Sequence, residues 1–231
     1  MNRIAYPTPS PTVTMELNYF FDSSFPNGSF GQSSGFETMV AKSTTLTDSD
    51  EARWIERYLL FHLWYGELEV ISRAYQATCS SSNTDLVRFL DRALHASRPT
   101  VELQSAARTI SVATTRAVGA LFGSEVMYQI ADLVEPSTQI GVLAAEREWN
   151  IDDVRRLVLS GVIKQLTTVM VRMGTIGQRR QLALIRQTWV SADRLAETRP
   201  DPDRPALPSQ CYSIDLDQAE HAHLDPRLFQ T

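Results

Sequence analysis

Cysteine, lysine and long apolar runs are all scarce in this chain. Of its 231 residues two are cysteines, Cys79 and Cys211, too few and too far apart for a disulfide framework or for a zinc site built from paired short spacings. Both are read as free thiols. No window of about 18 uninterrupted apolar residues occurs, because Glu67, Arg116, Glu125 and Lys164 cut the best runs, and this argues against a membrane-spanning helix. The start, with Pro7, Pro9, Pro11 and Glu16, has no basic stretch followed by an apolar one, so it does not read as a secretory signal. The expected compartment is the cytoplasm. A net charge of −5 leaves no basic footprint for nucleic acid. Catalytic signatures are missing too: there is no glycine-rich phosphate loop with lysine, no Gly-x-Ser-x-Gly elbow and no His-Glu-x-x-His.

What is present is an ordinary globular composition, 43% hydrophobic and 21% charged, long enough to bury a sizeable core. Residues 1–51, 52–200 and 201–231 carry net charges of −4, +3 and −4, so acidic ends flank a mildly basic middle. Twenty of the 22 basic residues are arginine, a side chain suited to bidentate carboxylate contacts at interfaces and equally at home on a solvated surface.

From about residue 48 to 196 apolar residues recur with helical spacing. Asp48 followed by Glu51 fits a capping box, and Ile55, Tyr58, Leu59, His62, Leu63 and Val70 form one stripe on a long first helix. Asn83 or Thr84 caps a second helix, Pro99 stops it, and Thr100 starts a third that runs to Gly123. Ser137 is placed as the cap of the next helix. A strongly apolar helix after Asn150 belongs in the centre, and a last long helix spans about 178–196. No convincing strand pattern or internal repeat appears. The sequence predicts an all-α, single-domain helical bundle with an extended C-terminal tail: a flexible segment over 1–21, the helical domain over 22–196, a proline-rich linker over 197–213, and a partner-docking tail over 214–231.

Few residues invite chemistry. In His221-Ala-His223 the imidazoles share a face only in a strand, and the sole additional ligands nearby are Asp217 and Asp225, so no metal site is assigned. His62 reads as a core histidine, His95 as a surface one, and Cys79 as an inert thiol without a partner base. The densest segment is 25–37. There Pro26 biases Phe25 toward extended backbone, Asn27-Gly28 favours a turn with positive φ, and Ser34 with Glu37 fits a capping box for a helix starting at Gly35.

This segment resembles the signature of the urease accessory protein UreF family, Phe-Pro-x-Gly-x-Phe/Tyr-x-x-Ser-x-Gly-Leu-Glu. Phe25, Pro26, Gly28, Phe30, Ser33, Gly35 and Glu37 occupy its positions, with Phe36 for the usual leucine. A second patch, Arg172 with Gly177-Gln178, is similar to the family's Arg-Leu-x-Pro-Leu-Gly-Gln. The third is the end of the chain, where Ile214, Asp215, Leu216, His221, Leu224, Arg227, Leu228 and Phe229 fall in register with the family tail. Between residues 102 and 110, and before Gly141, the family pattern is largely missing, which marks a divergent member.

The resemblance implies an all-α scaffold, not an enzyme, that homodimerises, binds UreD (also called UreH) and the GTPase UreG, and couples GTP hydrolysis to nickel delivery into apo-urease. It implies no cofactor on this chain, since UreG holds the GTP. On that reading Leu224, Leu228 and Phe229 bury on UreD while Arg227 and Asp215 set the register, and Arg172, Gln178, Arg179 and Arg180 face UreG. Two other readings stay open: a diverged all-helical interaction protein serving another GTPase–metal system, and a helical enzyme using Cys79 or the His221/His223 pair.

Overall fold

The most apolar stretch of the sequence forms helix α9 (Ile151–Arg172), and the rest of the protein is arranged around it. Asn150 starts it by accepting the backbone N–H groups of Asp152 (2.9 Å) and Asp153 (3.3 Å), and those two aspartates place negative charge at the helix's positive end. Val154, Leu159, Ile163, Leu166, Val169 and Met170 are buried along it. The computed structural model describes residues 11–42, 48–81, 83–198 and 212–229. Among them every regular element is helical, and no helix is long and apolar enough to cross a membrane.

The remaining elements are α1 (Pro11–Phe20), α2 (Phe36–Lys42), α3 (Asp48–Arg57), a π-helical stretch Tyr58–Glu67, α4 (Leu68–Ser81), α5 (Thr84–Ala96), α6 (Val101–Phe122), α7 (Ser124–Ile130), α8 (Pro136–Glu146), α10 (Gln178–Glu197) and α11 (Tyr212–Glu220). Helix α10 packs along α9, α4 packs on α8 and α5, and α11 lies against α2. The long first helix is real but not uniform. Its predicted stripe is buried throughout, yet the middle third has widened to i→i+5 hydrogen bonding, with the Leu68 N–H reaching the Leu63 carbonyl. Such segments are uncommon, and a 3.6-residue pattern gives no warning of them.

Two interactions lock the bundle. Arg155 on α9 is fully buried, and its guanidinium donates to the carbonyls of Ala196, Leu195 and Thr198 at the end of α10, and to the Leu68 carbonyl and Ser72 hydroxyl of α4. It satisfies carbonyls that a helix end leaves without donors, and burial lowers its pKa to about 10. Gly141 on α8 meets α4 so closely that a Cβ there would sit 2.5 Å from the Ile71 carbonyl oxygen.

Several expectations change. Segment 1–21 is not simply flexible: Pro11–Phe20 is helical, and Glu16 accepts from Arg147 (2.7 Å). Helix α8 starts at Pro136 without a cap from Ser137; instead the Asp91 carboxylate of α5 accepts the N–H groups of Val134 and Glu135. His95 is buried, 2.7 Å from Glu135, a carboxylate that Arg98 also grips. Glu51, predicted to cap, is buried beside Arg180, while the side chain of Asp48 and residues 199–211 of the linker lie outside the described residues. Gly141→Ala is expected to destabilise the fold by about 1–3 kcal/mol in urea unfolding followed by circular dichroism, because the obstacle is backbone and cannot turn aside.

Candidate functional site

The three sequence patches that carry the family resemblance are far apart in the chain, and the fold brings parts of all three together. The loop before α2 is bent by local chemistry. The Asn27 side chain accepts the Ser29 N–H (3.1 Å), and Gly28 takes a positive φ of 78°, a conformation that costs glycine little. Two further positive angles follow, at Ser34 (56°) and Gly35 (87°). Ser34 is therefore not the extended N-cap of a capping box. Nearby, burial pushes the pKa of the Tyr58 phenol well above its ordinary value, with the Ser34 hydroxyl pulling the other way. Helix α2 begins at Phe36, and Glu37 turns away from the helix start.

Glu37 is 4% exposed. One of its oxygens, Oε2, lies 2.7 Å from His221 Nε2, and the other accepts the backbone N–H of Leu228, also at 2.7 Å. Both partners come from the C-terminal tail. Gly35 is the seat of α11: a Cβ at this position would stand 3.1 Å from Gln218 Cγ and 3.2 Å from Gln218 N. Around this clamp Lys42 pairs with Asp217 (2.9 Å) and Glu220 (2.5 Å), which raise its pKa, Glu220 most strongly. Arg57 donates to the Ser213 hydroxyl, and His62 Nδ1 lies 3.7 Å from Asp215. Ile214 and Phe229 are buried on the body, and the Arg172 guanidinium covers the Phe229 ring at 4.6 Å, a cation–π contact.

The candidates therefore divide. Gly35, Glu37, Arg172, Asp215, His221 and Phe229 meet at the clamp. Ser33 is buried just before it. Phe25 packs elsewhere, in an aromatic cluster with Tyr19 and Phe20. Pro26, Gly28, Gly177 and Gln178 are exposed, as are Arg227 and Leu228, while Leu224 is half-buried. The side chain of Phe30 lies outside the described residues. The tail thus does not hold Phe229 free for another protein: it spends that ring on its own chain and leaves Arg227 and the Leu228 side chain outward. Sequence reasoning missed Lys42, Arg57 and Gln218. A signal existed in Asp217 and Glu220, whose spacing of three puts two carboxylates on one face of a helix.

Beside the clamp lies a cavity of about 220 Å³ with apolar walls from Phe20, Ile110 and Val158 and a polar end at His62, Glu67 and Gln218. Among the described residues no group of three or more His, Cys, Asp or Glu is placed to hold a metal ion. Cys79 is exposed on α4.

Comparison with known proteins agrees with the motif pattern. The family model described as UreF matches residues 47–188. The urease accessory protein UreF of Streptococcus thermophilus (strain ATCC BAA-491 / LMD-9) is 23% identical over 224 residues, covering 94% of each chain. That of Jannaschia sp. (strain CCS1) is 24% identical over 217 residues, again 94% of each, and that of Trichormus variabilis is 24% identical over 185 residues, covering 76% of this chain and 80% of the relative.

Removing the Glu37 carboxylate leaves a buried imidazole and the part-buried Leu228 N–H without their acceptor. Glu37→Ala is expected to lower the free energy of tail opening by about 2–4 kcal/mol, seen as faster hydrogen exchange over residues 213–229 with α4 and α9 unchanged. Unaltered exchange in the tail would show that the clamp does not hold it.

Proposed function

Because the chain belongs to the UreF family, and its role is that of a urease accessory protein, we propose that it is the adaptor that joins UreD (UreH) to the GTPase UreG in the complex inserting nickel into apo-urease. In this reading it works in the cytoplasm as a homodimer and does no covalent chemistry itself. GTP stays on UreG, and nickel is the cargo of the assembly. The observation that carries the reading is the clamp: the family's signature loop serves as the receptor of the family's tail, so the two most distinctive patches form one built surface.

That surface has a definite outer face. With Phe229 and His221 committed inward, Arg227 and Leu228 (59% exposed) form the outward end of the tail, an arginine beside an apolar side chain, the pairing that anchors many interfaces. UreD is assigned to this end. The second face is α10. At its start Gln178 and Arg179 are exposed, and along the same side follow Leu182, Arg186, Trp189 and Val190, with Leu182, Trp189 and Val190 each more than half exposed. An apolar strip rimmed by arginine suits a partner with acidic groups around an apolar centre, and UreG is assigned to it.

Three measurements test these assignments. In size-exclusion chromatography with light scattering, the wild-type chain is expected to form a three-component assembly with its cognate UreD and UreG. The double change Arg227→Glu with Leu228→Ser touches only exposed side chains, so thermal unfolding should not move while UreD affinity falls by at least about tenfold; undiminished affinity would remove the tail end from the UreD contact. Gln178→Ala with Arg179→Ala is expected to weaken UreG binding and alter its GTP turnover in the assembly. If neither changes, the start of α10 is a solvated basic face.

A further inference from the structure

Helix α5 carries an outer face that neither the clamp nor the α10 strip uses. Its inner side is accounted for: Val87, Leu90, Asp91, Leu94 and His95 are buried. On the opposite side stand Leu86 (40% exposed) and Phe89 (65% exposed), with Asp85, Arg92 and Ala93 also exposed. A phenylalanine two-thirds in water at the middle of a helix is costly. Asp85 and Arg92 have no ion-pair partner among the described residues, whereas Arg88 next to them is paired with Asp132.

The spacing of these five residues is self-complementary. At 3.6 residues per turn Asp85, Phe89 and Arg92 fall within a sector of about 60°, with Leu86 and Ala93 together on one flank of it. When a second α5 is laid antiparallel across a twofold axis at the level of Phe89, the two phenylalanines meet at the centre. Each Asp85 then lies opposite the other copy's Arg92, and each Leu86 opposite the other copy's Ala93. The axis preserves the side of the helix while reversing its direction, so both charge pairs form on one flank and both large–small apolar pairs form on the other. This matches what an isologous contact requires, the same patch complementing itself.

We infer that the outer face of α5 is a pairing surface for a second copy of this chain, centred on Phe89 and fixed in register by two Asp85–Arg92 ion pairs. The inference rests on the self-association included in the reading above and names its surface. A 13-residue helix is about 20 Å long, and a contact of that length is at the small end of protein interfaces, so the dimer dissociates on dilution.

The test is a charge exchange on the full chain, read by analytical ultracentrifugation over a concentration series. Asp85→Arg alone and Arg92→Asp alone each set like charges against each other twice, and each is expected to weaken dimerisation by about tenfold or more. The double variant restores both pairs with the signs reversed and is expected to return to near the wild-type constant. Both sites are exposed, so far-ultraviolet circular dichroism should be unchanged in all three variants. A wild-type dimer indifferent to both single changes would overturn the α5 surface while leaving self-association standing. A wild-type chain that stays monomeric at every concentration would overturn both.

Discussion

A carboxylate taken out of water must be given donors, and the source of those donors decides what the buried group holds together. For Glu37 both come from the end of the chain, 184 and 191 residues away. The loop before α2 and the tail after α11 are therefore one structural unit, although each reads as a separate motif. An apolar replacement of Glu37 would satisfy neither the imidazole nor the Leu228 N–H. The absence of a side chain at Gly35 serves the same constraint, because α11 approaches the backbone closely there, with Gln218 and Asp217 standing where a Cβ would be. The acidic C-terminal end is likewise drawn to Lys42, which pairs with Asp217 and Glu220, while Arg57 holds the Ser213 hydroxyl.

The helical part of the fold was legible because periodicity reports burial: Ile55, Leu59 and Leu63, or Val158, Leu166 and Val169, lie inward as their spacing demands. Local caps were legible where the cap is local, as at Asn83 and Thr100. They failed where a distant group does the capping. Asp91 serves the start of α8 from another helix, and no pattern within 130–140 could announce it. Ser34 and Glu37 have the spacing of a capping box, yet Ser34 takes a positive φ and the tail claims the Glu37 side chain. His95 was misjudged for the same reason, since its burial depends on Glu135, 40 residues on.

Motif reading also set the wrong weight on the middle of the chain. Its individual signature residues are eroded between 102 and 110 and before Gly141, yet the family match falls on 47–188, wholly between the loop at 25–37 and the tail at 214–229. The reason is physical. A helical bundle is specified by many exchangeable apolar positions, each weakly informative, whereas a clamp such as Gly35–Glu37–His221 depends on a few residues that have no substitute. The first kind of information shows in a summed pattern and the second in short motifs. Gly141 belongs to the second kind although it lies in the middle, because the Ile71 carbonyl leaves no room for a side chain.

What the molecule keeps for other proteins follows from what it has already used. Apolar residues of the tail divide by this rule: Ile214 and Phe229 stabilise the seat, and Leu228 faces water. Arginine divides in the same way. Arg155 and Arg98 are consumed by internal carbonyls and carboxylates, Arg172 by a ring, whereas Arg92, Arg179, Arg186 and Arg227 remain outward, three of them beside an exposed apolar side chain and Arg179 one turn from Leu182. A chain with an acidic net charge and an arginine-rich surface gains little from nonspecific attraction to anions. Each of these four arginines is instead set next to a particular apolar neighbour, an arrangement that favours partners matched in both shape and charge over partners matched in charge alone.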